Sequence, residues 1–125
     1  STPFRYRKLG YAALNVTDLD RSVHFYRDLL GLALVEQGAD IAFLRCCRDH
    51  HNLVLHRSPV AGLKRVGFEL ESQADADHAF VHFESRGLQP RRVAPEEARA
   101  LRQGPSFRVR EPHCRLEFDF YGATP

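Results

Sequence analysis

The spacing of apolar residues along this chain switches from strand-like to helical, and the same switch occurs once in each half. In the first half, the strand-like run "YAALNV" leads into "TDLDRSVHFYRDLLGL", where Leu19, Val23, Tyr26 and Leu30 recur at helical spacing and Gly31 interrupts the pattern. This predicts a strand followed by an amphipathic helix. Thr17 or Asp18 can cap that helix, because a side-chain oxygen there accepts hydrogen bonds from the free first-turn amides. Asp20 suits the positive end of the helix dipole. In the second half, "RVGFEL" leads into "ESQADADHAFVHFESRGL", with Ala76, Ala79, Phe80 and Phe83 as the apolar stripe and Gly87 as its end.

Each helix is followed by extended segments: Leu34–Gln37, Ile41–Arg45 and Asn52–Arg57 in the first half, Gln89–Ala94, Phe107–Glu111 and Arg115–Tyr121 in the second. Within the second set, "APEEARALRQG" predicts a short helical turn before the Gly104-Pro105 break. The order is strand, helix and three strands, twice over. It predicts an α+β fold of two βαβββ modules: module one about 7–57, a linker 58–63 and module two about 64–121. One such module leaves a sheet face uncovered, so the two together are expected to form a single domain across the 125 residues.

Composition narrows the function classes. With 43% hydrophobic and 27% charged residues the chain reads as a soluble globular protein. Its net charge of +2 comes from 18 basic and 16 acidic residues spread along the sequence, so no nucleic-acid partner is expected and the "QPRRV" pair reads as a solvated edge. No apolar run approaches the roughly 20 residues of a membrane span, and no signal-peptide core stands at the start, so no membrane partner and a cytoplasmic location are expected. The three cysteines, two of them adjacent at Cys46 and Cys47, fit reduced thiols rather than a disulfide framework. No Gly-rich phosphate loop or nucleophile elbow supports another catalytic class.

The duplicated pattern, with "DLDRSVHFYRDLLGL" opening the first half, resembles the vicinal oxygen chelate superfamily of glyoxalase I, bleomycin-resistance proteins and extradiol ring-cleavage dioxygenases. The helix motif covers Asp18, Leu19, Ser22, Phe25, Tyr26, Leu30, Gly31 and Leu32. The stretches "FLRCCRDHHNLVLHRSPVAGL" and "FRVREP…RLEFDFY" are similar above all to the N-terminal domain of two-domain extradiol dioxygenases of the homoprotocatechuate type. The resemblance implies a curved, partly open eight-stranded mixed sheet with helices on the outside. It also implies a bay in which metal-binding members hold a divalent ion between the first and last strands of each half.

At those four positions this chain departs from the family's ligands. Tyr11 in "GYAAL" and Arg65 in "GLKRVGFEL" stand where histidines would, Val54 fills the last-strand position of the first half, and only Glu117 in "RLEFDFY" keeps the expected carboxylate. A guanidinium stays protonated and is no ligand, whereas an extradiol or glyoxalase ion needs three or four converging nitrogen and oxygen donors. The first expectation is therefore a member without cofactor that binds a small aromatic or hydrophobic molecule through Tyr11, His56, Arg65 and Glu117. Arg65 would either close the bay by a bidentate bond to Glu117 or bind the carboxylate of an aromatic acid. The bay would be lined by Tyr11, Phe43, Val54, Phe68 and Phe107, while Phe25, Tyr26, Phe80 and Phe83 would serve helix packing.

The stretch "RDHHNLVLH" holds three of the seven histidines. Strand alternation would set His50, Asn52, Val54 and His56 on one face and His51, Leu53 and Leu55 on the other, with His50 and His56 about 20 Å apart. His50 and His51 would then point apart as structural residues, and His56 alone would enter the bay. A second expectation is an extradiol dioxygenase or glyoxalase-like lyase whose Fe, Mn, Ni or Zn is held by displaced ligands: His56 and Glu117, with Asp119 or His113. A third is a non-catalytic structural partner of another domain. A homodimer is compatible with all three.

Overall fold

Strand, helix and three strands occur twice in the computed structural model, which describes residues 2–123. The first set is β1 (Tyr6–Val16), α1 (Leu19–Val23, running on into π-type turns at His24–Leu29), β2 (Ala33–Gln37), β3 (Ile41–Arg45) and β4 (Leu53–Arg57). The second is β5 (Gly62–Leu70), α2 (Gln73–Ser85), β6 (Arg91–Arg92), α3 (Pro95–Ala100), β7 (Ser106–Arg110) and β8 (Glu117–Gly122). The strands hydrogen-bond in the order β2-β3-β4-β1-β5-β8-β7-β6 as one eight-stranded sheet. It is mixed, since β1 and β4 run parallel while β2–β3, β3–β4, β6–β7 and β7–β8 are antiparallel. Two compact units divide the chain: a first unit, Gly10–Arg65, and a second unit made of the residues up to Leu9 and from Val66 onward.

In the first unit, Asp18 is the helix cap, accepting from the Arg21 amide at 3.1 Å. Leu19 and Val23 bury against Ala42, Leu44 and Leu55, with Leu14, Val16, Leu53 and Tyr26 adding to the same aliphatic core. Beyond Val23 the helix widens, so that the Leu30 amide bonds five residues back to the Phe25 carbonyl at 3.0 Å. This extra residue per turn rotates the stripe: Leu30 is exposed, contrary to its place in the sequence periodicity, and Leu32 packs on the core in its stead. Gly31 turns the chain out of the helix at φ +84°, where a side chain would be strained.

In the second unit, the Ser72 hydroxyl accepts from the Asp75 amide at 3.1 Å, starting α2. The Asp75 carboxylate in turn accepts from the Arg5 amide at 3.0 Å. Ala76 and Ala79 let α2 approach a core of Phe4, Leu70, Phe107, Val109 and Phe120, joined by Phe68, Phe80, Phe83 and Phe118. The small side chains make room for rings: Phe107 stacks on Phe120 with centroids 5.1 Å apart, and Phe68 on Phe120 at 5.7 Å. Gly122 ends β8 so close to α2 that a Cβ there would meet the Gln73 amide at 2.5 Å. The strand expected over Gln89–Ala94 shrinks to Arg91–Arg92, because Gln89 turns at φ +52°, Pro90 has no N–H to donate and Pro95 begins α3.

Candidate functional site

Cross-strand register assigns the faces of the first unit. Ala13 pairs with Val54 and Val54 with Phe43, while Asn15 pairs with His56 and His56 with Ile41; Leu14, Leu55 and Ala42 form the alternate row under α1. Tyr11, Phe43, Val54 and His56 therefore share the face opposite the helix. At the positions where the resemblance implies ligands, Tyr11 is 2%, Val54 0% and Arg65 4% exposed. These positions hold a phenol, a hydrocarbon and a guanidinium, all buried. His56, half-buried on the same face, is the remaining imidazole of that row.

His50 and His51 do not point apart. Their Nδ1 atoms lie 3.0 Å apart, so one imidazole donates to the other. His51 is buried edge-on to Phe43 at 5.0 Å and tilted against Tyr11 at 5.4 Å, on the face opposite α1, and His50 reaches Glu36 with Nε2 at 3.4 Å. Alternation fails because β4 begins only at Leu53. The preceding residues form a turn in which the Asn52 side-chain oxygen accepts from the Cys46 amide at 2.9 Å and from the Cys47 thiol at 3.4 Å. The Asn52 amide group donates to Asp49 at 3.2 Å. Asp49 and Asn52 are the turn-forming residue types that signalled this in the sequence.

The second unit carries charge on the corresponding face. Arg108, Arg110, Glu117 and Asp119 lie on the side of β7 and β8 away from α2, because Phe107, Val109, Phe118 and Phe120 occupy the helix side. Phe68 also belongs to that helix-side core, so neither Phe68 nor Phe107 lines the face opposite the helix, contrary to the sequence expectation. Glu117 is bound by Arg91 and lies 3.8 Å from Arg110. Asp119, fully buried, accepts from Arg108 Nε at 2.6 Å and Nη2 at 3.0 Å and from the Gln103 amide at 2.9 Å; Arg108 also donates to Glu97 at 2.7 Å. The hydrogen bonds to Asp119, with smaller help from Glu97, hold the Arg108 guanidinium above its ordinary pKa despite desolvation. Sequence analysis missed this network, although the alternating charges of "FRVR" and "EFDF" mark a polar strand face.

Asp119 is committed to Arg108, Glu117 to Arg91 and Arg110, and His113 sits exposed in the turn before β8, its amide donating to Glu111 at 2.9 Å. Hydrogen bonds from Cys114, and to a lesser extent from the His113 amide, hold the Glu111 carboxyl below its ordinary pKa. Among the described residues no group of three or more His, Cys, Asp or Glu side chains is placed to hold a metal ion. The donor set does not fit the divalent ion of the family's metal-binding members.

Residues 8–113 match the Glyoxalase/Bleomycin resistance protein/Dioxygenase superfamily, and the chain belongs to it. Among curated relatives, the chain is 30% identical over 108 residues to a manganese-dependent 2,3-dihydroxybiphenyl 1,2-dioxygenase of Geobacillus genomosp. 3, which covers 85% of this chain and 34% of that protein. It is 28% identical over 116 residues to a biphenyl-2,3-diol 1,2-dioxygenase of Sphingomonas paucimobilis, covering 92% and 39% of the two chains. Among solved structures, a variant of homoprotocatechuate 2,3-dioxygenase from Brevibacterium fuscum superposes with a TM-score of 0.85 and 31% identity over 99% of this chain and 34% of that one. The chain thus spans about a third of the length of these dioxygenases.

Proposed function

We propose that this chain is a non-catalytic module of the extradiol-dioxygenase architecture, which packs against and shapes a metal-bearing module of the same superfamily. One observation carries the reading: at three of the four positions where the family's ligands would stand, Tyr11, Val54 and Arg65 are buried side chains unsuited to a divalent ion. The fourth, Glu117, is neutralised by two arginines. Such a site contributes packing rather than Lewis acidity.

A second reading is favoured by His56 alone. Half-buried on the face opposite α1, it can hydrogen-bond a small aromatic or hydrophobic ligand held against that face. Elemental analysis after anaerobic loading with Fe(II) or Mn(II), together with a catechol ring-cleavage assay, tests the first reading. Sub-stoichiometric metal and no cleavage are expected; tight one-to-one metal with cleavage would overturn it. Saturable quenching of tyrosine fluorescence by catechols, lost in His56→Ala, would replace it with the second.

A further inference from the structure

Cys46 and Cys47 sit in the turn that joins β3 to β4, and both are exposed. Adjacent side chains in an extended strand would point to opposite faces. Here they converge: the Cys46 and Cys47 thiols donate to one atom, Asn52 Oδ1, at 3.6 and 3.4 Å. The same oxygen accepts from the Cys46 amide at 2.9 Å, which fixes the turn around the two sulfurs. Neighbouring donors are engaged elsewhere: the Asp49 carboxylate accepts from Asn52 at 3.2 Å, and His50 contacts His51 and Glu36. The turn thus presents two thiols, and among the described residues no third ligand joins them in one group.

We propose that Cys46 and Cys47 bind one cuprous ion as a bis-thiolate. Thiolate sulfur selects soft ions, and a cuprous ion is satisfied by two such ligands, whereas a structural zinc ion takes four. A direct disulfide is disfavoured, because consecutive Cα atoms lie about 3.8 Å apart across a trans peptide, short of the roughly 4.4–6.8 Å that the bond's geometry calls for. An ion between the sulfurs relaxes that limit by holding them further apart. Binding replaces two S–H bonds with two S–Cu bonds and releases two protons to solvent, with no change of oxidation state. The complex carries one negative charge, and Arg45, whose guanidinium donates to the Asp49 carbonyl across the same turn at 3.4 Å, supplies an opposite one. Asn52 gathers the two sulfurs before the ion arrives, so little ordering is left to the binding step. The site uses none of the residues on which the reading proposed above rests.

The test is an anaerobic titration of the whole chain with Cu(I), supplied as its acetonitrile complex, in competition with bicinchoninate. One ion per chain is expected, with release of two protons and an unchanged particle mass by light scattering. Cys46→Ser and Cys47→Ser should each weaken binding by more than about a hundredfold, beyond the effect of losing a residue that only orients a ligand. Cys114→Ser, at an exposed thiol in the turn before β8, should leave binding unchanged. Excess Zn(II) should not displace the cuprous ion. The proposal is overturned if Cys46→Ser or Cys47→Ser binds normally, if Cys114→Ser loses the ion, if binding joins two chains, if zinc displaces it, or if bicinchoninate strips all of it.

Discussion

The two units share one order of elements but distribute their side chains in opposite ways. The first packs aliphatic residues under its helix and places Tyr11, Phe43 and His51 on the other face. The second packs phenylalanines under its helix and ion pairs on the other face. The difference teaches that the βαβββ frame constrains where apolar surface must be buried, through the helix side of each sheet, and leaves the chemistry of the opposite face open. Neither face offers converging free donors among the described residues: in one unit the face carries mainly hydrocarbon and aromatic groups, in the other the carboxylates are paired with arginine.

The sharpest way to break this comparison is at its buried charge. Asp119→Ala removes the acceptor of Arg108 and Gln103 and leaves a guanidinium that is 13% exposed without its main partner. A loss of about 3–5 kcal/mol is expected from urea denaturation, in the range for breaking a buried ion pair. A loss under about 1 kcal/mol, the level of a surface pair, would mean the network is solvated and the contrast between the units is weaker than drawn.

The matching change in the first unit is Leu55→Ala, which opens a cavity beneath α1 where Leu55 is fully buried. It should cost about 2–5 kcal/mol by the same denaturation measurement. Unlike Asp119→Ala, whose penalty is electrostatic, its effect should be nearly insensitive to salt.

A smaller effect belongs to the exposed end of the first helix. Hydrogen bonds from Arg27, and secondly from His24, hold the Asp28 carboxyl down at about 2. Because the folded value lies below the ordinary one of about 3.9, the contribution is present above pH 4 and is lost as pH falls toward 2. Carbon-13 NMR of the carboxyl should show this midpoint, and Arg27→Gln should return it toward the ordinary range. A wild-type midpoint near 4 would show that the triad is not populated in solution.

Much of the fold was legible because it rests on local rules. Period changes, the Asp18 cap and the glycines at 31 and 87 are set by backbone sterics and by the alternation of apolar residues, and β3 falls where its pattern lies. Strand ends followed less closely, since the Asn52 turn delays β4 and the Pro90 and Pro95 breaks shorten β6. Tyr11, Val54 and Arg65, the residues at positions where the resemblance implies ligands, could be read along the chain.

Their burial could not, because burial is decided by what residues distant in sequence bring to the same place. Nor could the contact of His50 with His51, which depends on the turn being formed instead of an extended strand. The partners of Glu117 were equally hidden: Arg91 is 26 residues away in sequence, and only cross-strand pairing through β7 brings it within reach. Sequence by itself determined the duplicated frame and the residue types at the positions where the resemblance implies ligands. The tertiary structure alone decided which charges find partners and which side chains are buried, because both depend on long-range register rather than local propensity.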